Sequence, residues 1–377
     1  MRQRGTWLTS LAELDDLRSL TPDAGPYLTL YLSLRPATEE LALATQLQWQ
    51  GARERAAEAG APSQVLAAVD SWVEGAHREG AGLCVVAASD GPAHVEHLVR
   101  PPPCQFVRWE AIPTLSPLLA VRQVQQPHVV ALVDREGADV TVGHHGSAAT
   151  ATSERSVEGR THPERKVKPG GWSQRRIQQR AEETWQRNMR AVAEEVAGLA
   201  RDTGARIVAL GGDQRAVGLV RDQLPEEIAG LVEPIAVTRS ADGSATHLEE
   251  ELAAVLDRWA DQHIARTVES YHEELGQQDR ATAGPTDTLA ALRAARVALL
   301  LVALRCDDPD RAWLGDSADQ VFVSADAAGE VSPGGTAGPS APLFDAAVGA
   351  ALATGAEVLV LPGDAPVPGG MGALLRW

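Results

Sequence analysis

The residues best suited to chemistry lie in one short run, residues 166–180, which reads Lys-Val-Lys-Pro-Gly-Gly-Trp-Ser-Gln-Arg-Arg-Ile-Gln-Gln-Arg. Gly170 and Gly171 allow backbone conformations closed to other residues, so the chain can approach a partner closely. Ser173 can cap a following helix, whose first turn presents unpaired N–H groups and the positive end of the helix dipole. Arginines beside such a helix start suit a phosphate backbone, so we predict a phosphate-bearing partner.

The residues predicted to contact RNA carry positive charge, belong to the glycine pair or can stack. They are Lys166, Lys168, Gly170, Gly171, Trp172, Arg175, Arg176 and Arg180. Trp172 can stack on a base or insert into a protein cleft. The alternative is a solvated basic turn without a partner. The coincidence of a glycine pair, a capped helix and a charge cluster favours a binding site.

The distribution of charge restricts where nucleic acid can bind. The formal net charge of −17 repels phosphate at long range, which argues against binding over the whole surface. Residues 155–180, the basic segment, contain eight Lys or Arg against two Glu, a local charge of +6. Lys166 and Lys168 are the only lysines in the chain. Any contact with nucleic acid is therefore predicted to be local to this segment.

The elements around the basic segment predict a mixed sheet with helices on its faces. Residues 129–133 and 140–142 precede it and predict an antiparallel hairpin. After it, apolar residues recur every three or four positions from Ile177 to Leu199, which predicts a long helix that ends at Gly204. Strands are then predicted over 207–210 and 233–237, and helices over 214–223 and 247–275.

The length of 377 residues is enough for two or three domains. We predict an α/β fold in three parts. An N-terminal α/β domain covers residues 1–126, a central domain with the glycine pair covers 127–278, and a C-terminal α/β domain covers 279–377. The second boundary falls in a polar link with Gly and Pro.

The run Gly-Gly-Trp-Ser-Gln-Arg-Arg at residues 170–176, between a basic loop and a long helix, resembles the bacterial branch of a known superfamily. That superfamily comprises the archaeal and eukaryotic release factors and pelota. The resemblance implies a ribonuclease-H-like central domain and a C-terminal α/β domain similar to kink-turn-binding ribosomal proteins. It implies the ribosome as partner, with its rRNA and a tRNA in the P site, and makes a translation GTPase a further candidate. No cofactor and no membrane partner are expected.

The position of one glutamine departs from the release-factor pattern. In release factors a glutamine follows the second glycine directly and positions water against the peptidyl-tRNA ester, whereas here Trp172 and Ser173 precede Gln174. Two extra residues are expected to place Gln174 in the first helical turn, displaced from a water that it must hold within about 3 Å. Its spacing is nevertheless similar to the Gly-x-x-Gln pattern of a eukaryotic peptidyl-tRNA hydrolase. Gln174 is the candidate catalytic residue.

Codon reading is not expected, because the Asn-Ile-Lys-Ser motif of the family is absent and Asn188 is the only asparagine. The resemblance implies a factor that occupies the ribosomal A site with its glycine loop near the peptidyl-transferase centre. Ribosome hibernation, as in relatives of the Balon type, is the predicted role. One alternative is a peptidyl-tRNA hydrolase that rescues stalled ribosomes. The other is a stress-regulated protein-interaction module that does not touch RNA.

Other polar candidates are interpreted as structural. Asp134 lacks the convergent carboxylates of a two-metal nuclease site, so we interpret it as a turn residue. Residues 211–213, Gly-Gly-Asp, are interpreted as a tight strand-to-helix turn. His144, His145 and His162 lack a metal-ligand motif and are interpreted as loop residues, so no metal site is predicted.

The cysteines and the apolar runs bear on the compartment. Cys84, Cys104 and Cys306 are odd in number and far apart, so free thiols are predicted. No run approaches the roughly 18 uninterrupted apolar residues that span a bilayer. Acidic residues at positions 13, 15 and 16 interrupt the place where a signal peptide needs its apolar stretch. We therefore expect an uncleaved, cytoplasmic protein.

Overall fold

The computed structural model describes residues 14–20, 25–34, 39–76, 80–88, 91–143, 153–158, 171–238, 244–331 and 338–377. The helices are α1 (Glu39–Glu58), α2 (Ser63–Ala76), α3 (Ser116–Arg122), α4 (Gly171–Asp202), α5 (Gln214–Gln223), α6 (Glu226–Ala229), α7 (Ser244–Gln277), α8 (Pro285–Arg293), α9 (Ala325–Val331) and α10 (Leu343–Ala353). Among the described residues, no helix combines the length and apolar character needed to cross a membrane.

The strands form four sheets. They are β1 (Tyr27–Ser33), β2 (Gly82–Ala88), β3 (Gly91–Leu98), β4 (Phe106–Glu110), β5 (His128–Val133), β6 (Gly137–Gly143), β7 (Ser153–Glu158), β8 (Ile207–Gly212), β9 (Val232–Pro234), β10 (Ala281–Ala283), β11 (Val297–Ala303), β12 (Arg311–Leu314), β13 (Val321–Phe322), β14 (Ser340–Pro342), β15 (Glu357–Leu361) and β16 (Met371–Leu375). The predicted α/β class is confirmed.

The chain divides into two compact units. Of the described residues, those within 125–260 form the central unit, and those within 1–124 and 261–377 form the terminal unit. The division falls within α7, so one helix contributes to both units. The division into compact units places the N-terminal and C-terminal segments in one unit, so it does not test the boundaries of the three predicted domains. Those boundaries stay a prediction.

The central unit is built on one five-stranded sheet with the order β7-β6-β5-β8-β9. Strands β5, β6 and β7 pair antiparallel, whereas β8 pairs parallel with both β5 and β9. The predicted hairpin and mixed sheet are confirmed, and the order is that of a ribonuclease-H-like sheet. Strand β7 was not predicted. It overlaps the start of the basic segment, its polar residues show no period-2 apolar pattern, and its register comes from pairing with β6.

The terminal unit holds an antiparallel sheet with the order β3-β2-β1-β4. Alternate residues of β1 belong to two different cores, as the period of a strand requires. Leu28, Leu30 and Leu32 pack in a core with residues of α1 and α2. Tyr27 and Tyr31 lie in a second core, which also contains side chains of β11 and α10. The N-terminal and C-terminal segments therefore share one hydrophobic core.

The C-terminal segment contributes a sheet with the order β10-β16-β11-β15. Strand β16 was not predicted, because its glycine-rich sequence looks like a tail. A glycine is required at position 372, because a Cβ there would lie 2.5 Å from the Tyr271 hydroxyl oxygen. The small residue lets β16 pass beneath α7, which a strand with a larger side chain here could not do.

The prediction of three free thiols is wrong. Cys104 and Cys306 form a disulfide with a Cα–Cα distance of 5.4 Å, and Cys84 is a buried free thiol. The two bonded cysteines are 202 positions apart, so no local spacing could indicate the pair. The fold brings them together when the N-terminal and C-terminal segments pack into one unit.

Candidate nucleic-acid interface

The residues predicted to contact RNA fall around the start of α4. This helix begins at Gly171, so five further site residues lie in its first three turns: Trp172, Gln174, Arg175, Arg176 and Arg180. Lys166, Lys168 and Gly170 lie outside the described residues, and so do the side chains of residues 171–181. The structure therefore gives the backbone positions of the site residues that lie in α4. The contacts of all the predicted site residues stay predictions.

The predicted capping role of Ser173 is wrong. The helix begins two residues earlier, which makes Ser173 its third residue. The first four N–H groups of a helix have no intrahelical partner, so a start can move by a residue or two without the loss of a backbone hydrogen bond. Gln174 is consequently the fourth helical residue and lies in the first turn, as its spacing predicted.

The body of α4 is fixed against the sheet by an apolar stripe. Met189, Val192 and Val196 are fully buried in the core of the central unit, together with side chains of β5, β6 and β8. Beyond the end of the helix, Gly204 has φ +61, a left-handed conformation that suits glycine. The predicted period and end of the helix are confirmed. The body of α4 is therefore fixed against the central sheet.

An arginine pair and an indole connect α4 with its neighbours. The guanidinium carbon of Arg215 lies 4.5 Å from the ring centroid of Trp185, and that of Arg135 lies 5.7 Å from it. Arg215 also donates to Glu182 at 2.6 Å. Arg135 lies just after β5, and Arg215 lies in the first turn of α5, just after β8. These contacts therefore hold the ends of two parallel strands against α4. No local sequence pattern indicates this group of contacts.

The turns at the ends of β5 and β8 have the structural roles predicted for them. The Asp134 carboxylate accepts hydrogen bonds from the backbone N–H groups of Glu136 and Gly137, at 2.7 and 2.9 Å. Asp213 caps α5 by accepting from the N–H groups of Arg215 and Ala216. Both carboxylates thus satisfy local backbone donors, and both interpretations are confirmed. His144, His145 and His162 lie outside the described residues.

One cluster with metal-ligand chemistry occurs in the described parts of the chain, at Asp16, His94 and Glu96 in the terminal unit. Arg122 donates to both carboxylates, at 2.7 Å to Asp16 and 2.5 Å to Glu96. Burial alone would raise the pKa of Glu96, but hydrogen bonds from His94 and Arg122 outweigh it and lower that pKa. A guanidinium therefore balances these carboxylates, and we interpret the cluster as structural.

The segment that contains the central sheet, α4 and α7 matches a known family. Residues 127–277 match the model described as bacterial archaeo-eukaryotic release factor family 2. The predicted resemblance to the archaeal and eukaryotic release-factor superfamily, which includes pelota, is confirmed over these 151 of the 377 residues.

Relatives and solved structures extend over most of the chain. An uncharacterised protein of Mycobacterium tuberculosis strain H37Rv, Rv2629, is 25% identical over 371 residues, which are 96% of each chain. The archaeal translation termination factor aRF1 aligns at 15% identity over 97% of this chain and 96% of its own, with a TM-score of 0.25. Pelota of Archaeoglobus fulgidus aligns at 14% identity over 67% and 65%, with a TM-score of 0.35.

Proposed function

We propose that the chain is a ribosome-associated translation factor that occupies the A site and places its Gly170-Gly171 loop near the peptidyl-transferase centre. Its role is ribosome hibernation without codon reading, and the cytoplasm is its place of action. The observation that carries the proposal is the match of residues 127–277 to a release-factor family, with the basic segment at the start of a rigidly held helix. Contact with rRNA or with a P-site tRNA needs no catalysis, because occupation of the site is sufficient.

The charge around the start of α4 supports contact with phosphate. The first turn of this helix contains no acidic residue, and the first one along the helix is Glu182. Arg175 and Arg176 add two full positive charges to the positive end of the helix dipole. Phosphate oxygens would accept from the free N–H groups of the first turn and balance this charge. The acidic remainder of the chain limits such binding to this end of the central unit.

We expect that ribosome binding depends on Arg175 and Arg176. The Arg175→Ala/Arg176→Ala protein should lose about tenfold or more in affinity for empty ribosomes, and the slope of log K against log salt should fall by about two. Co-sedimentation over a range of salt concentrations measures both quantities. The matched control is Arg187→Ala/Arg190→Ala, which removes the same charge from exposed positions further along α4 and should bind like the wild type. Equal losses in both variants would contradict a local contact, and no co-sedimentation at any salt would favour the protein-interaction module.

The second candidate function, peptidyl-tRNA hydrolysis, is favoured by Gln174 alone. Its place as the fourth residue of α4 constrains its backbone to the helix, which argues against the position that a water-orienting glutamine needs. We expect no peptide release above background from ribosomes that carry peptidyl-tRNA, with either the wild type or Gln174→Ala. Release by the wild type that falls 100-fold or more in the variant, on the order of a lost general acid–base group, would instead establish the hydrolase.

A translation GTPase stays a candidate partner for delivery to the ribosome. If one delivers the factor, its GTP form should increase the rate of binding to ribosomes without changing the affinity measured at equilibrium. Rapid-mixing experiments with and without the GTPase would test this.

A further inference from the structure

The N-terminal and C-terminal segments of the terminal unit meet along a seam, which we define by the contacts between residues 103–123 and residues 304–361. At one end of it lies the Cys104–Cys306 disulfide. Next to the disulfide, Arg108 donates to the backbone carbonyl of Cys306 at 2.5 Å. Arg311 donates with two nitrogens to the Glu110 carboxylate, both at 3.0 Å. A disulfide, a hydrogen bond and an ion pair therefore connect the two segments at this end of the seam.

The other end of the seam does not need the disulfide. The Thr114 hydroxyl donates to the buried carboxylate of Asp345 at 2.7 Å. The Gln123 side chain donates to the carbonyl of Val360 at 2.8 Å and accepts from its N–H at 3.0 Å. The shared apolar core lies behind these contacts. Cleavage of the disulfide would thus loosen one end of the seam and leave the two segments associated.

The two bonded cysteines differ in exposure. Cys306 is an exposed residue followed by the exposed Asp307, whereas Cys104 is only 4% exposed. Thiol–disulfide exchange requires a thiolate to reach one sulfur in line with the bond, and exposed disulfides are the ones that exchange readily. Cys306 therefore offers the sulfur that an external thiolate can attack, and Cys104 is the natural leaving group.

The third cysteine cannot take part. Cys84 is fully buried on β2. Burial raises the pKa of its thiol to about 12, so almost no nucleophilic thiolate forms near neutral pH. Thiol–disulfide exchange is consequently restricted to the Cys104–Cys306 bond. Cys84 can serve as an internal control in thiol labelling.

From these contacts we propose that Cys104–Cys306 is a reversible redox-modification site whose co-reactant is a protein dithiol of the kind that reduces intracellular disulfides. One thiolate of the dithiol attacks Sγ of Cys306, the Cys104–Cys306 bond breaks, and Cys104 leaves as a thiolate that takes up a proton. The second thiol of the reductant, as a thiolate, then attacks its own sulfur in the mixed disulfide and releases Cys306, which is protonated in turn. The protein gains two electrons and two protons, and the dithiol leaves as a disulfide. Oxidation follows the same steps in reverse and re-forms the Cys104–Cys306 bond across the seam.

The inference does not depend on ribosome binding, and its test uses the full-length protein alone. After treatment with a dithiol reductant, thiol alkylation of the folded protein should label Cys306 first and Cys104 afterwards, while Cys84 is labelled only in denaturant. The midpoint of thermal unfolding should fall by about 5 to 10 °C on reduction, because a cross-link over a long loop is lost. Amide exchange should rise in residues 103–110 and 304–314 and stay unchanged at Gln123 and Val360. Added glutathione disulfide should restore the starting values.

Two variants separate this mechanism from other effects of the reductant. The Cys104→Ser/Cys306→Ser protein should behave like the reduced wild type and should no longer respond to the reductant. The Cys84→Ala protein should keep the full response, even if its own midpoint is lower. The proposal would be overturned by a reductant-dependent shift that persists in the double serine variant, by equal midpoints and exchange in both redox states, or by reduced wild type that does not re-form the disulfide.

Discussion

Replacing Gly212 with alanine is expected to prevent the central unit from folding. Gly212 ends β8 with φ +122, a conformation that side-chain-bearing residues rarely adopt. A Cβ there would lie 1.9 Å from the carbonyl oxygen of Val133 and 2.8 Å from its backbone nitrogen. The atom it meets is main chain of the neighbouring strand β5, so no side-chain rotation can relieve the clash. We expect a loss of about 4 kcal/mol or more in the free energy of unfolding.

The matched control is Gly218→Ala, six residues further along the same chain segment. Gly218 lies exposed in the middle of α5, and a Cβ there would meet nothing within 4 Å. Alanine should stabilise the helix by up to about 1 kcal/mol. Amide exchange of β5 and β8 in the full-length proteins measures both effects. A Gly212→Ala protein with normal protection of these strands would contradict the close approach of β8 to Val133.

Local patterns predicted the parts of the fold that local physics determines. The five consecutive apolar residues of β5, the 3.6-residue period of α4 and the turn at residues 211–213 each indicate an element within a dozen residues. Gly212 could be predicted as a turn residue, but the atom that forbids a side chain there belongs to Val133, on a strand placed by tertiary pairing. The same limit applies to Gly372, whose partner is Tyr271.

The candidate site shows the same division. The glycine pair, the arginines and the long helix are contiguous, so the sequence alone identified the segment and its superfamily. The cation–aromatic group of Arg135, Trp185 and Arg215 joins residues that are far apart in the sequence, and no local sequence pattern indicates these contacts. Cys104 and Cys306 come together for a comparable reason, since the shared core of the terminal unit is formed by the two ends of the chain. Contacts between residues far apart in the sequence depend on the topology of the fold. A short stretch of sequence does not determine that topology.

The second large effect is expected at Arg122, a buried cation in the terminal unit. Its Nη1 and Nη2 donate to Asp16 at 2.8 and 2.7 Å, while Nη2 and Nε donate to Glu96 at 2.5 and 3.1 Å. Glu96 is only 6% exposed. The Arg122→Met protein keeps the apolar stem of the side chain but leaves this carboxylate buried without its cation. Breaking such a pair costs about 3 to 5 kcal/mol, which urea unfolding of the full-length protein at pH 7 would measure.

The pH dependence of the same variant distinguishes charge from packing. In the wild type the pKa of Glu96 is lowered, so the stability it contributes is present above its unfolded pKa and is lost as pH falls through the folded value. Without Arg122, the hydrogen bond with His94 remains, but the pKa of Glu96 should rise from its wild-type value because burial is opposed less strongly. Arg122→Met should then gain stability relative to the wild type as pH falls from 7 toward 5, because its folded state takes up a proton more readily. A variant destabilised only by lost packing would show no such gain.

A double-mutant cycle with Glu96→Gln gives the decisive comparison. Removal of the Glu96 charge together with Arg122 takes both the carboxylate and the guanidinium out of the buried half of the cluster, so Glu96→Gln/Arg122→Met should be more stable at pH 7 than Arg122→Met alone. We expect a coupling free energy of about 1 to 3 kcal/mol and the disappearance of the gain at low pH. Asp16 is half exposed and can be solvated, so it should contribute much less. Additive single effects would mean that Arg122 acts through packing and not through charge, and the interpretation of the cluster as a balanced structural network would have to be given up.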